Sequence, residues 1–168
     1  EQLVRDARIT RIYEGTNGIQ GLDLVGRKLA LGGGRAVRSY FALLNGWLQA
    51  NPQAPHAAAV GKALKQLQQA TMWIATEGMK DAEQAGAAAT PYLRLFALTS
   101  LAWFWSRMAL VATEQLAAGR SETAFYSAKL KSADFYVARV LTESDGLLAE
   151  VLAGKASLMA FNEDEFAA

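Results

Sequence analysis

The chain has 168 residues, is 52% hydrophobic and 20% charged, carries a formal net charge of +1, and contains one histidine, three prolines and no cysteine. That length holds one domain with a proper core, or a domain plus part of another. Near-neutral charge removes the electrostatic case for nucleic acid or an anionic membrane surface, and without cysteine there are neither disulfides nor thiolate metal sites.

A single histidine without a carboxylate-rich partner set argues against any metal centre. The lack of cysteine fits a reducing compartment, and a cytoplasmic location is the expectation. The chain opens on Glu1 without an initiator methionine or signal sequence and starts in a helical pattern, as a piece of a longer protein would.

Residues 1 to about 12 read as helix, with Leu3, Val4, Ala7 and Ile12 available for one face. Gly15 and Gly18 end that element in a turn. Asn17 is placed as an N-cap, with Gln20 completing a capping box, and Thr16 is the alternative cap. The next helix carries Ile19, Leu22, Val25 and Leu29 at helical spacing and stops at Gly32-Gly33-Gly34, a joint between two structural units.

Beyond that joint the chain reads as a run of long helices. Residues 35–50 carry Val37, Tyr40, Phe41, Leu44 and Leu48, and Pro52 and Pro55 impose the next break. From about 56 to 85 the stripe is Val60, Leu64, Leu67, Thr71 and Ile74, with Gly86 to Ala89 loosening the chain. Thr90-Pro91 reads as the cap and first position of a further helix, reaching about Ala118 and apolar nearly all round. Gly119-Arg120-Ser121 is the next turn, with Ser121 capping a helix to about Ser144 whose stripe is Tyr126, Leu130, Ala133, Val137 and Val140. Asp145-Gly146 is the last expected break, followed by a short helix to Leu152 and a loose acidic tail at Glu163, Asp164 and Glu165.

No strand pattern or internal repeat appears. The expected fold is all-α, an up-and-down bundle of long antiparallel helices. The apolar run Leu95–Thr113 contains Arg107, which is costly inside a bilayer, so it reads as a buried central helix and not a membrane span.

Candidate chemistry concentrates in one stretch, Arg5 to Gln20, reading RDARITRIYEGTNGIQ. Glu14 follows Ile12 and Tyr13 and precedes Gly15, so an acid stands beside apolar side chains where a ligand can approach the backbone. Desolvation there would raise its pKa toward that of a general base. A lone glutamate beside a turn is ordinarily a solvated residue, and a Gly-Thr-Asn-Gly turn often does no more than cap a helix. The functional alternative is that the free amides of the helix start, with Thr16 and Asn17, bind a phosphate or a polar cofactor group. His56, in a Pro-flanked loop, reads as solvated. Trp73, Trp103 and Trp105 read as core packing.

The same run closely resembles the C-terminal signature of the acyl-CoA dehydrogenases, with its Arg-Asp-Ala start, IYEGT and IQ. GLDLVGRKLALGGGRAV, PYLRLFALTSLAWFW and FYSAKLKSADFYVARVL are similar to the larger bacterial members, of the 3-methylmercaptopropionyl-CoA dehydrogenase type, which carry an extra helical domain after the dehydrogenase core. The resemblance implies FAD-dependent oxidation of an acyl-CoA thioester to the trans-2-enoyl-CoA. Glu14 would be the base, Tyr13 and Gly15 would lie along the substrate, and Thr16, Asn17 and Gly18 would touch FAD. Relatives often have a glutamine or glutamate at the position of Gly18, so only its backbone could contribute here.

The resemblance further implies that residues 1–34 end the dehydrogenase's C-terminal helical domain and that 35–168 form an appended bundle. It also implies that the isolated chain is inactive and that an electron-transfer flavoprotein accepts the electrons, while the very apolar helices suggest a homo-oligomer, expected as a dimer. The competing reading is a helical structural or oligomerisation domain with no chemistry of its own. Exposed aromatics such as Trp47 and Phe161 would then serve self-association.

Overall fold

The computed structural model describes residues 1–12 and 16–167, which are helical throughout their ordered elements and contain no strand among the described residues. In chain order the helices are α1 (Gln2–Arg8), α2 (Thr16–Asp23), α3 (Arg35–Ala50), α4 (Ala57–Trp73), α5 (Ala82–Ala117), α6 (Thr123–Phe135) and α7 (Glu143–Ala153). Wider π-turns continue α2 over Leu24–Lys28, α4 over Ile74–Gly78 and α6 over Tyr136–Val140. The fold is the expected all-α one.

α5 is the axis of the bundle, with α2, α4, α6 and α7 all packed on it. It is the one helix among the described residues long and apolar enough to cross a membrane by length and composition. Here it is a core helix: Ala88, Tyr92, Leu95, Ala102 and Ala109 are fully buried by its neighbours. The expected α4 stripe is the facing wall, with Val60, Leu64 and Leu67 essentially inaccessible.

Most polar groups inside this core are tied to the backbone or to one another, with Trp103 Nε1 and Gln66 Oε1 left without a partner among the described residues. The Tyr136 hydroxyl donates to the Leu98 carbonyl at 2.9 Å, Tyr92 and Thr71 share a hydroxyl–hydroxyl bond of 2.7 Å, and Tyr40 bonds Ser100 at 2.6 Å. Burial pushes the Tyr92 and Tyr136 phenols up to about 12, so both remain neutral hydrogen-bonding groups at any physiological pH.

Several local expectations yield to packing. The helix expected to begin at Thr90-Pro91 begins at Ala82, capped by the Asp81 carboxylate, which accepts from the Glu83 amide at 2.9 Å. It runs unbroken through Gly86–Ala89 and Pro91. Ala88 and Ala89 are buried, and α2 seats Gly21 against Ala89 so closely that a Cβ there would lie 3.0 Å from the Ala89 carbonyl oxygen. Small residues on both helices permit this approach, and the contact offsets the hydrogen bond that Pro91 cannot donate.

The break expected at Asp145-Gly146 lies earlier, at Leu141–Thr142, and both residues sit inside α7. Asp145 is held there by Lys62 at 2.7 Å and by the Gln66 amide at 2.5 Å, both from α4. Ser121 does not cap α6, which starts at Thr123 without a side-chain cap. Asn17 is not a cap either, since α2 already includes Thr16. Val25 joins the core as expected, but Ile19 and Leu22 are 63% and 49% exposed, because Gly21 is the residue that faces α5. His56 is only partly solvated: it is the N-cap residue of α4 at φ 64°, its side chain is 21% exposed, and Nε2 lies 3.0 Å from Asp134 Oδ1.

The Lys62 and Gln66 hydrogen bonds hold the Asp145 carboxyl below the usual carboxylate range. A carboxylate with a depressed folded pKa stabilises the fold above its unfolded pKa of about 4, and that contribution is lost as pH falls through the folded value. Asp145→Asn should therefore melt below the native chain at pH 7, and the gap should close as the pH is taken well below 4. A gap that persists at low pH would show that the carboxylate charge is not its source.

Candidate functional site

Of the six candidate residues, Tyr13, Glu14 and Gly15 lie outside the described residues. Thr16, Asn17 and Gly18 form the first turn of α2, brought together by helix geometry. Thr16 is partly buried, while Asn17 and Gly18 are exposed. A side chain at Gly18 would meet nothing within 4 Å. Among the described residues nothing covers Gly18, and the first amides of a helix lack an intrahelical acceptor. Such a start suits a polar or anionic group of a cofactor. The donors this turn offers are the Thr16 hydroxyl, the Asn17 amide and the Gly18 backbone.

The turn is positioned from behind. Gly21 fixes α2 on α5, Val25 enters the core, and Leu24 and Leu29 pack beside it. Asp23 binds Arg27 at 2.6 Å and Lys28 at 2.8 Å, and these bonds draw its pKa down to about 2. Arg27 is therefore committed to its own helix.

The rest of the N-terminal region is uncovered. α1 has no buried residue, and Leu3, Val4, Ile9, Ile12, Ile19 and Leu22 are between 49% and 83% exposed. Six large apolar side chains are thus left exposed in this short span.

Among the described residues no group of three or more His, Asp or Glu side chains could hold a metal. The expected aromatic core is present at Trp103, which is 6% exposed, with Trp73 and Trp105 packed against the same cluster. One feature escaped the sequence reading: a groove of about 600 Å³ between α3, α5 and α6, walled by Trp47, Phe104, Met108, Val111 and Phe125, with Arg107 and Lys129 beside it. No local signal marks it, because its residues come from three helices far apart in the chain.

A family model described as acetyl-CoA dehydrogenase C-terminal like matches residues 38–162. The 3-methylmercaptopropionyl-CoA dehydrogenase of Ruegeria pomeroyi is 36% identical over 154 residues, covering 84% of this chain and 25% of that protein. The chain thus spans about a quarter of the length of the curated relative it matches.

Proposed function

The chain belongs to the acetyl-CoA dehydrogenase C-terminal-like family, and from that membership we propose that it is the C-terminal part of a FAD-dependent acyl-CoA dehydrogenase. The observation that carries the proposal is the run Arg5–Gln20, which lies ahead of the matched residues 38–162 and places an acid, Glu14, two residues before the helix that starts at Thr16. The reaction is α,β-dehydrogenation of an acyl-CoA thioester to the trans-2-enoyl-CoA.

Glu14 removes the α-proton, Tyr13 and Gly15 line the acyl and thioester portion, and the Thr16–Gly18 turn holds a polar edge of the cofactor. FAD, when bound, supplies the hydride acceptor, and an electron-transfer flavoprotein takes the electrons onward. The compound in the relative's name, 3-methylmercaptopropionyl-CoA, is the first thioester to test. We place the protein in the cytoplasm.

Residues 1–34 belong, in this reading, to the dehydrogenase core, and 35–168 to an appended helical bundle. The uncovered apolar residues of α1 and α2 support this division, since the dehydrogenase core would cover them. The bundle itself has a structural and self-associating role, in a homodimer. The exposed apolar side chains of α5 and α6, such as Phe104 and Phe125, favour that role.

The test is anaerobic flavin bleaching. The longer dehydrogenase should bind FAD stoichiometrically and bleach on adding an acyl-CoA. The 168-residue chain alone should do neither. A flavin that does not bleach with any acyl-CoA, or full activity in the isolated chain, would overturn this assignment.

A further inference from the structure

Two uncovered surfaces of this chain complement each other. The floor of the α3–α5–α6 groove is apolar, with Phe104, Met108, Val111 and Phe125 exposed by 48%, 38%, 51% and 57%. Its two cations are held in place by rings: the Arg107 guanidinium lies 4.7 Å from the Trp103 centroid, and Lys129 Nζ lies 5.1 Å from that of Phe125. Neither is ion-paired among the described residues.

The segment Leu158–Phe166 has the opposite character. Leu158, Met159, Phe161 and Phe166 are 63–78% exposed, and the two phenylalanine rings sit 5.7 Å apart. Glu163, Asp164 and Glu165 lie between those phenylalanines in the sequence, on a single tight turn. An apolar pair flanked by carboxylates is exposed among the described residues, and so is an apolar floor flanked by two cations.

We propose that the segment Leu158–Phe166 of one copy docks in the α3–α5–α6 groove of a second copy, reciprocally, across a two-fold axis. This rests on the self-association reading and supplies the surfaces for it. Reach excludes the same chain as occupant. Lys155 is fixed to the start of α5, its amide donating to Gln84 Oε1 at 3.0 Å and its ammonium 2.5 Å from Asp81. The groove lies about 30–42 Å farther along α5 at 1.5 Å per residue. Even fully extended, the chain from Lys155 to Phe161 covers at most ~22 Å, and beyond it the 3₁₀ turn Glu163–Ala167 keeps the Phe166 ring 5.7 Å from that of Phe161, so the segment as folded does not reach the groove. It is also shortened by a turn in which the Met159 amide bonds the Lys155 carbonyl. Two copies with antiparallel α5 helices bring each segment to the other's groove. Phenylalanines bury about 150 Å² or more each, so two such insertions with the groove surface they cover reach the scale of a stable interface.

The experiment is sedimentation velocity on the 168-residue chain and on two charge-reversed variants. One reverses the groove (Arg107→Glu with Lys129→Glu) and the other reverses the segment (Glu163→Lys with Glu165→Lys). The native chain should be a dimer. Each variant alone should dimerise about tenfold or more weakly, because like charges then meet. An equimolar mixture should recover the dimer, since both grooves again face segments of opposite charge. If losing the Arg107 stack on Trp103 unfolds the groove variant, Lys129→Glu alone against Glu165→Lys alone gives the same pattern. A native monomer would overturn both docking and self-association. Native-like dimers from both variants, or a mixture that stays monomeric, would overturn the docking and leave self-association standing.

Discussion

Replacing Glu14 with glutamine in the complete dehydrogenase should lower turnover by about 10²–10⁴-fold while flavin content and spectrum stay unchanged. Glutamine keeps the size and hydrogen-bonding reach of glutamate but cannot accept a proton. The whole loss should fall on α-proton abstraction, which corresponds to roughly 3–5 kcal/mol in the barrier. The measurements are the anaerobic rate of flavin reduction and the exchange of the substrate α-proton with solvent. Near-normal rates in both would remove Glu14 from the role of base. A loss of flavin instead would point to a part in cofactor binding.

The largest structural effect is expected at Gly154, just after α7. Its φ of 65° and ψ of −158° belong to a region that essentially only glycine occupies, at a cost of about 1–3 kcal/mol for other residues. A Cβ there would also overlap the Gln84 Oε1 atom and come within 3.3 Å of Trp73 Cζ2. Gln84 can swing away only by giving up its hydrogen bond to the Lys155 amide. Gly154→Ala should therefore destabilise the chain by about 2–4 kcal/mol, read as a fall in the urea midpoint at constant slope. Gly146→Ala is the matching control. That glycine is exposed inside α7 with nothing within 4 Å of a new Cβ, so alanine should stabilise by about 0.5–1 kcal/mol. Equal effects at both positions would contradict this account.

The contrast between those two glycines shows where sequence reading stops. Gly154 and Gly146 look alike in the chain, and the Asp145-Gly146 pair is the better turn signal. Only the packing of α7 against α4, with Asp145 bonded to Lys62 and Gln66, makes the second a helix interior. Gly86–Ala89 and Pro91 repeat the point: local signals worth about 1–3 kcal/mol are overridden where buried Ala89 meets Gly21 of a distant helix. His56 reads as a loop residue until α6 brings Asp134 to its side.

What the sequence by itself determined is what local chemistry controls. Alanine- and leucine-rich composition with few breakers makes the chain helical. Pro52 and Pro55 must end a helix, and the left-handed Gly32-Gly33-Gly34 run must interrupt one. The spacing of Val60, Leu64 and Leu67 selects the buried face of α4. The Arg5–Gln20 run carries the family resemblance on contiguous residues, so it needs no fold to be read. The tertiary structure alone decided how far α5 extends, which apolar side chains of α2 stay uncovered, and where a groove with two ring-held cations forms. Each depends on residues far apart in the chain, whose packing energy local propensity does not contain.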